Sequence, residues 1–144
     1  NFEIINLSEK KFTDQVKIFN SAKLIVAMHG AGLTNLLFCK SKTKVIEITK
    51  NFVDYLNTND PIYIKLNDKK NIDWYTKKNS SDYNLYTRSM YNYFSKQNNL
   101  EHFFYFAKGE KPKNKFENEY QEFTYTSLRV NIKKLSDLIK EIQL

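Results

Sequence analysis

Glycine, proline, cysteine and arginine are all scarce in this chain. Of 144 residues, three are glycine, two are proline and one is cysteine. The lone Cys39 excludes an internal disulfide and leaves the redox compartment unassigned. With only two histidines, His29 and His102, far apart in the chain, no zinc cluster is readable. No Asp-x-Asp pair is present, so a carboxylate site for a nucleotide-bound divalent metal is not evident. No G-K-[ST] follows a glycine-rich run, which excludes a P-loop. Gly30 and Gly32 are followed by Asn35, so the dinucleotide fingerprint G-x-G-x-x-G is incomplete. His29-Gly30-Ala31-Gly32 is similar to the oxyanion strand of esterases, but no G-x-S-x-G supplies their nucleophile. No apolar run approaches the roughly 18 residues of a membrane span. Asn1 to Leu7 lacks the basic start and long apolar stretch of a signal peptide.

Arginine occurs only at Arg88 and Arg129, although the formal net charge is +7. Phosphate-reading surfaces favour arginine for its bidentate geometry, so no dedicated nucleic-acid surface is expected. Abundant Lys, Asn and Ile have a plain explanation in the coding bias of an AT-rich genome. The positive excess still favours an anionic ligand such as a nucleotide diphosphate.

Hydrophobic residues make up 41% of the chain and aromatics 15%, too apolar for disorder. The length suits one domain with a buried core. Because the chain starts at Asn1 and not at Met, we read it as a piece of something longer. An upstream anchor would place it in the secretory lumen; without one the cytoplasm is expected.

The pattern along the chain alternates strand and helix. Phe2 to Asn6 reads as a strand and Ser8 to Lys11 as a polar connector. A helix follows from Thr13, its N-cap, to Ala22, with Val16, Phe19 and Ala22 on one face. Leu24 to Met28 is apolar without alternation, as in a strand buried on both faces of a parallel sheet. His29 to Gly32 is a turn, Leu33 to Phe38 opens a short helix, and Val45 to Ile48 is a strand after a polar turn. Beyond it we expect a helix over Asn51 to Asn59, an extended piece over Pro61 to Leu66 and a surface insertion over Lys69 to Ser81. A helix over Tyr86 to Lys96 leads to an aromatic strand, Glu101 to Ala107. Lys108 to Asn118 reads as a mobile loop and Leu128 to Val130 as a last strand. Asn131 caps a final helix carrying Leu135, Leu138, Ile139 and Ile142 at helical spacing. The expected class is α/β, a Rossmann-like parallel sheet flanked by helices. No repeat or internal domain boundary is visible.

Two of the three glycines fall in one turn, Gly30 and Gly32. Glycine serves where the backbone takes positive φ or approaches a ligand closely. This turn follows a buried strand and opens a helix, where free N–H groups and the helix dipole attract an anion. In open α/β sheets ligands bind at the carboxyl ends of strands, where this turn lies. The alternative is a tight turn that only lets the helix pack on the sheet.

Residues 15 to 48 closely resemble the C-terminal domain of glycosyltransferase family 61. The resemblance rests on Gln15-Val16 through Ala22, then IVAMHGAGLTNLLF, then VIEI. It continues more weakly in Tyr91 to Phe94, Leu100 to Tyr105 and Val130 to Leu135; Pro61 to Tyr83 has no counterpart. The resemblance implies the C-terminal half of a two-domain GT-B architecture, with the N-terminal domain, an Arg-bearing segment and the first strand and helix of this domain missing before Asn1. It implies an inverting, metal-independent transfer of a sugar from a nucleotide donor, UDP-linked, to a hydroxyl of a glycan or protein acceptor. No cofactor is expected, the nucleotide sugar being substrate. Such a piece alone is expected to be inactive unless another chain supplies the missing parts. A nucleotide-sugar-binding module without activity, or less favoured a basic nucleic-acid-binding domain, is the alternative.

On this reading the N–H groups of Gly30, Ala31, Gly32 and Leu33 hold the diphosphate and stabilise the leaving group. Thr34 and Asn35 add side-chain hydrogen bonds, or alternatively cap the helix and bond within the domain. Glu47 sits in an apolar strand, where a charge needs a reason. It accepts from ribose hydroxyls, as acidic residues do in related nucleotide folds, or pairs with a lysine at the strand end. His29 contacts donor phosphate or sugar in preference to acting as general base, since the acceptor approaches from the missing domain; packing is its plainer role. His102, Trp74 and Cys39 are assigned structural roles, as is the Tyr-rich stretch from Tyr83 to Tyr93 in preference to a sugar-stacking wall.

Overall fold

A computed structural model describes residues 2–50, 62–65, 91, 93–110 and 127–143. The expected helix at Asn51 to Asn59, the insertion at Lys69 to Ser81, Trp74, residues 83–90 and the loop beyond residue 110 lie outside the described residues.

The centre is a run of three parallel strands, β1 (Leu24–Met28), β2 (Lys44–Lys50) and β4 (Glu101–Glu110), with β2 in the middle. The fold is thus α/β and Rossmann-like. The sheet is mixed rather than wholly parallel, since β3 (Ile62–Lys65) and β5 (Ser127–Arg129) both run antiparallel to β4. Part of the expected loop at Lys108 is therefore strand: residues 108–110 extend β4 and pair with β5.

Alternation along the strands sorts the core into two layers. Val45, Ile25 and Ala27 face one side, where Phe19 of α1 (Phe12–Ser21), Leu33, Leu36 and Tyr91 pack. Ile46, Ile48, Phe103 and Tyr105 face the other, against Leu138 and Ile142 of α2 (Ile132–Gln143). A central parallel strand is covered on both faces in this way, which fits the apolar residues Val45, Ile46 and Ile48 of β2. The expected burial of β1 on both faces is only partial: among the described residues it pairs with β2 alone, and its residues are half-buried with Met28 exposed.

Several local expectations shift. Residues 2–6 form no strand, having no ladder partner among the described residues; a 3-10 turn, Leu7–Glu9, follows, with Asn6 accepting from the Ser8 N–H. α1 starts at Phe12, one residue before the expected cap at Thr13, and Lys11 holds the N-cap position without a side-chain bond. Asn131 does cap α2: its Oδ1 accepts from the Lys134 N–H at 3.1 Å. At the far end of α2, the Lys44 ammonium donates to the Ile142 carbonyl, a cation at the negative end of a helix.

Candidate functional site

His29 immediately follows β1, and its N–H donates to Ile48 O of β2 at 2.8 Å. That bond continues the ladder one residue beyond β1 and fixes the ring at the carboxyl edge of the sheet. The chain then leaves through Gly30 into a 3-10 helix, Ala31–Phe38. Gly30 is fully extended (φ 167°, ψ 175°), and neither glycine of the turn has positive φ. Conformational freedom therefore does not explain the glycines here; space does. Among the described residues a Cβ on Gly30 would meet nothing within 4 Å, so they leave the turn an open face there. A Cβ on Gly32 would lie 2.9 Å from Leu7 Cδ1, so Gly32 serves close packing under the N-terminal turn.

The 3-10 geometry trims the expected set of anion donors. The Leu33 N–H closes an i to i+3 bond on Gly30 O at 3.0 Å and is not available. The N–H groups of Gly30, Ala31 and Gly32 have no acceptor among the described residues. The Gly30 carbonyl also accepts from the Tyr91 hydroxyl at 2.7 Å, which pins the turn to the layer beneath.

Thr34 and Asn35 make bonds within the domain, the alternative their sequence left open. Thr34 Oγ1 donates to Ala31 O at 2.7 Å. Asn35 is buried and its amide donates to Gln15 Oε1 at 2.9 Å. Gln15 in turn donates to Leu7 O at 3.0 Å and Lys10 O at 3.1 Å. One amide pair thus ties the N-terminal turn, α1 and the site helix together. It gives both Gln15 and Asn35 a structural reason to be where they are.

Glu47 has a different partner from the ribose that its position suggests. Its side chain has 0% exposure and lies between two imidazoles. His29 Nδ1 contacts Oε1. On the other side, His102 Nε2 lies 2.9 Å from Oε2. That second contact is close but out of line, so neither atom has an aligned hydrogen-bond partner. His102 is itself fully buried, and its Nδ1 is 2.6 Å from Ser95 Oγ, also fully buried. A carboxylate with no exposed surface cannot reach a ribose without abandoning these contacts.

The register explains the cluster. Glu47 pairs with Ala27 on β1 and Phe104 on β4. His102 points to the same face two residues earlier on β4, and His29 to that face two residues later along the first strand's path. Burial pushes the Glu47 carboxyl up, but the hydrogen bonds and charges of His102 and His29 outweigh it, leaving it below the usual carboxylate range. The Tyr91 ring stands edge-on to His29, centroids 5.2 Å apart. Burial, and secondarily the Glu47 charge, raises the Tyr91 phenol, so it remains a donor to Gly30 O. Burial pushes the Cys39 thiol up to about 12, consistent with its structural role in the core.

An ionised carboxylate only accepts, so the neutral His29 ring carries its proton on Nδ1. Nε2 is then free: it has no partner among the described residues, and the ring keeps 30% of its side-chain surface. The site accordingly joins an outward-facing imidazole nitrogen to three neighbouring backbone N–H groups. No group of residues able to hold a metal ion occurs among the described residues. An open cleft of about 600 Å³, lined by Lys23, Lys40, Lys42 and Lys44, lies at the opposite, amino end of the strands.

Reading the sequence missed the role of His102 and Ser95. A histidine in the aromatic run 102–106 looks like packing, and only the strand register brings it against Glu47. A model of the family described as Glycosyltransferase 61 matches residues 1–46, which include His29 and the turn but stop before Glu47, Tyr91, Ser95 and His102. No curated protein and no solved structure matches the chain.

Proposed function

We propose, from the match of residues 1–46 to the model of Glycosyltransferase 61, that the chain is the donor-binding part of a GT-B, inverting enzyme that uses a nucleotide sugar without a metal ion. The remaining domain, with the acceptor side, is supplied outside these residues. The observation that carries this reading is the open face at Gly30 beside the exposed His29 nitrogen, both at the carboxyl edge of a parallel sheet.

The N–H groups of Gly30, Ala31 and Gly32 hold the diphosphate of a UDP-linked donor. As the acceptor oxygen gives its proton to a base supplied outside these residues and bonds to the anomeric carbon, the bond to the diphosphate breaks and negative charge grows on the leaving oxygen beside these amides. His29 is the charge partner on that side. Carrying a proton on Nε2 as well as Nδ1, it donates to the leaving diphosphate, while Glu47 behind it stabilises the imidazolium. The logic is that of a carboxylate supporting a catalytic histidine. Without a metal, fixed donors of this kind must do the neutralising. Thr34, Asn35 and Glu47 act on the turn and on His29 rather than on the ligand.

The test is a titration of the full-length protein with UDP, alongside the Gly30→Val variant and a donor-hydrolysis assay. Because nothing lies near a Gly30 Cβ, the variant keeps its fold while filling the open face. UDP affinity is expected to fall at least about tenfold, roughly 1.4 kcal/mol, with an unchanged melting temperature. Equal affinity in both proteins removes the site assignment. UDP binding without any hydrolysis of a nucleotide sugar leaves a binding module in place of an enzyme.

A further inference from the structure

We infer that Ser95 and His102 are positioning residues that hold Glu47 ionised and thereby set which nitrogen of His29 carries the proton. This deepens the reading of His29 given above, but its test needs no substrate. Four polar side chains run inward from the surface in one line: His29, Glu47, His102 and Ser95. The last three have no exposed side-chain surface. Water does not supply missing hydrogens there, so the proton arrangement must satisfy the line from within.

With both rings neutral, two arrangements are open to it. In the first, Glu47 is ionised: Oε1 accepts from His29 Nδ1–H, and Oε2 faces His102 Nε2–H at 2.9 Å, out of line. His102 Nδ1 then has a lone pair, and the Ser95 hydroxyl donates to it at 2.6 Å. Every donor faces an acceptor. In the second, His102 carries its proton on Nδ1 and donates to Ser95 Oγ. Its Nε2 lone pair then faces Glu47 Oε2 at 2.9 Å in a buried site, which requires a proton on Glu47. Protonating Glu47 withdraws the charge that supports an imidazolium at His29.

The Ser95 hydroxyl serves Nδ1 as its donor in the first arrangement, the one in which the buried carboxylate faces a donor on each side without a proton of its own. Glu47 and the Tyr91 ring face His29; Glu47, Ser95 and the tilted Phe104 ring, 5.0 Å away, face His102. Glu47 is the one carboxyl among these groups, so the proton arrangement of the line turns on whether it is ionised. The misalignment of the Nε2 to Oε2 contact, rather than a full hydrogen bond, makes that state sensitive to what stands at position 102.

The readout is the tautomer of His29, measured by long-range ¹H–¹⁵N correlation spectra of the full-length protein, with His29→Gln used to assign its signals. In the wild type the neutral ring is expected as a single Nδ1–H tautomer. His102→Leu removes one of the two donors on Glu47 and is expected to convert this to a mixture. His102→Gln restores an N–H donor toward Oε2 and is expected to return the Nδ1–H form. Should His102→Leu fail to fold, Ser95→Ala is the second variant; it leaves Nδ1 of His102 without its donor and shifts the His29 spectrum in the same direction. An Nε2–H tautomer in the wild type overturns the inference. So does a His29 spectrum unchanged in both His102→Leu and Ser95→Ala. A protein that binds no UDP but shows the expected tautomers refutes the proposed function alone.

Discussion

Glu47 is the residue on which most of the site turns. It is a fully buried charge that two imidazoles hold below the usual carboxylate range, against the opposing effect of burial. A depressed folded-state value means stability that is present above the ordinary carboxylate range and lost as pH falls through the folded value. The wild-type protein should therefore lose stability in acid, below the ordinary range. Glu47→Gln removes the titrating group and should flatten this part of the curve. At neutral pH it should cost about 1–3 kcal/mol, because an amide cannot accept from both rings and one buried partner goes unmatched. Urea unfolding at a series of pH values measures both effects. A wild-type curve with the same acid slope as Glu47→Gln would show that the carboxyl is not held ionised. The neighbouring Tyr91 gives a smaller residue-scale effect. Tyr91→Phe keeps the ring against His29 but deletes the bond to Gly30 O. The loss should be about 1 kcal/mol in urea unfolding, with weaker UDP binding as the turn loosens.

The elements that position the site were legible to different degrees, for physical reasons. β1 is a short, continuously apolar run, β2 a short run apolar apart from Glu47 at its centre, and α2 has both a capping asparagine and clean helical spacing, so each was readable from local pattern. The cap of α1 was misplaced by two residues, at Thr13, because Lys11 occupies the cap position without a capping side chain. The turn at Gly30 was found, but for a partly mistaken reason: its glycines serve open space and close packing rather than positive φ. What local pattern could not reveal were contacts set by register, such as Glu47 with His102, or by side chains distant in sequence, such as Gln15 with Asn35. The amide pair carries an element-scale prediction. Gln15→Ala and Asn35→Ala should each destabilise, and because they break the same bond their effects should not add. A double-mutant cycle in urea should give a coupling of about 1 kcal/mol. Additive losses would mean that the site helix is not held through this pair. The same variants should weaken UDP binding, since the N–H groups of Ala31 and Gly32 begin the helix that Asn35 anchors.

At the scale of the whole molecule, two features are suited to anions, and they lie at opposite ends of the strands. One is the turn at the carboxyl edge, with fixed N–H groups and the His29 nitrogen. The other is the diffuse excess of lysine behind the net charge of +7, which includes four lysines around the cleft at the amino edge. The physics of the two differs. Attraction from exposed ammonium groups is long-ranged and screened, the Debye length shrinking to roughly 3 Å in 1 M salt. Hydrogen bonds from a preorganised turn act at contact and resist salt far better. Weak binding of generic DNA is therefore expected at low ionic strength, and it should disappear on raising salt from about 0.05 M to about 0.5 M. UDP binding should decline much less over that range. Substitution should separate the two further. Lys23→Glu with Lys42→Glu should reduce DNA binding and leave UDP affinity nearly unchanged, whereas Gly30→Val should do the reverse. Fluorescence anisotropy for DNA and calorimetry for UDP supply the measurements. DNA binding that persists at high salt, or that falls with Gly30→Val, would move the anion site of this fold from nucleotide sugars toward nucleic acid. The opposite outcome confines the lysine excess to nonspecific attraction and leaves the turn beside His29 as the place where a diphosphate is recognised.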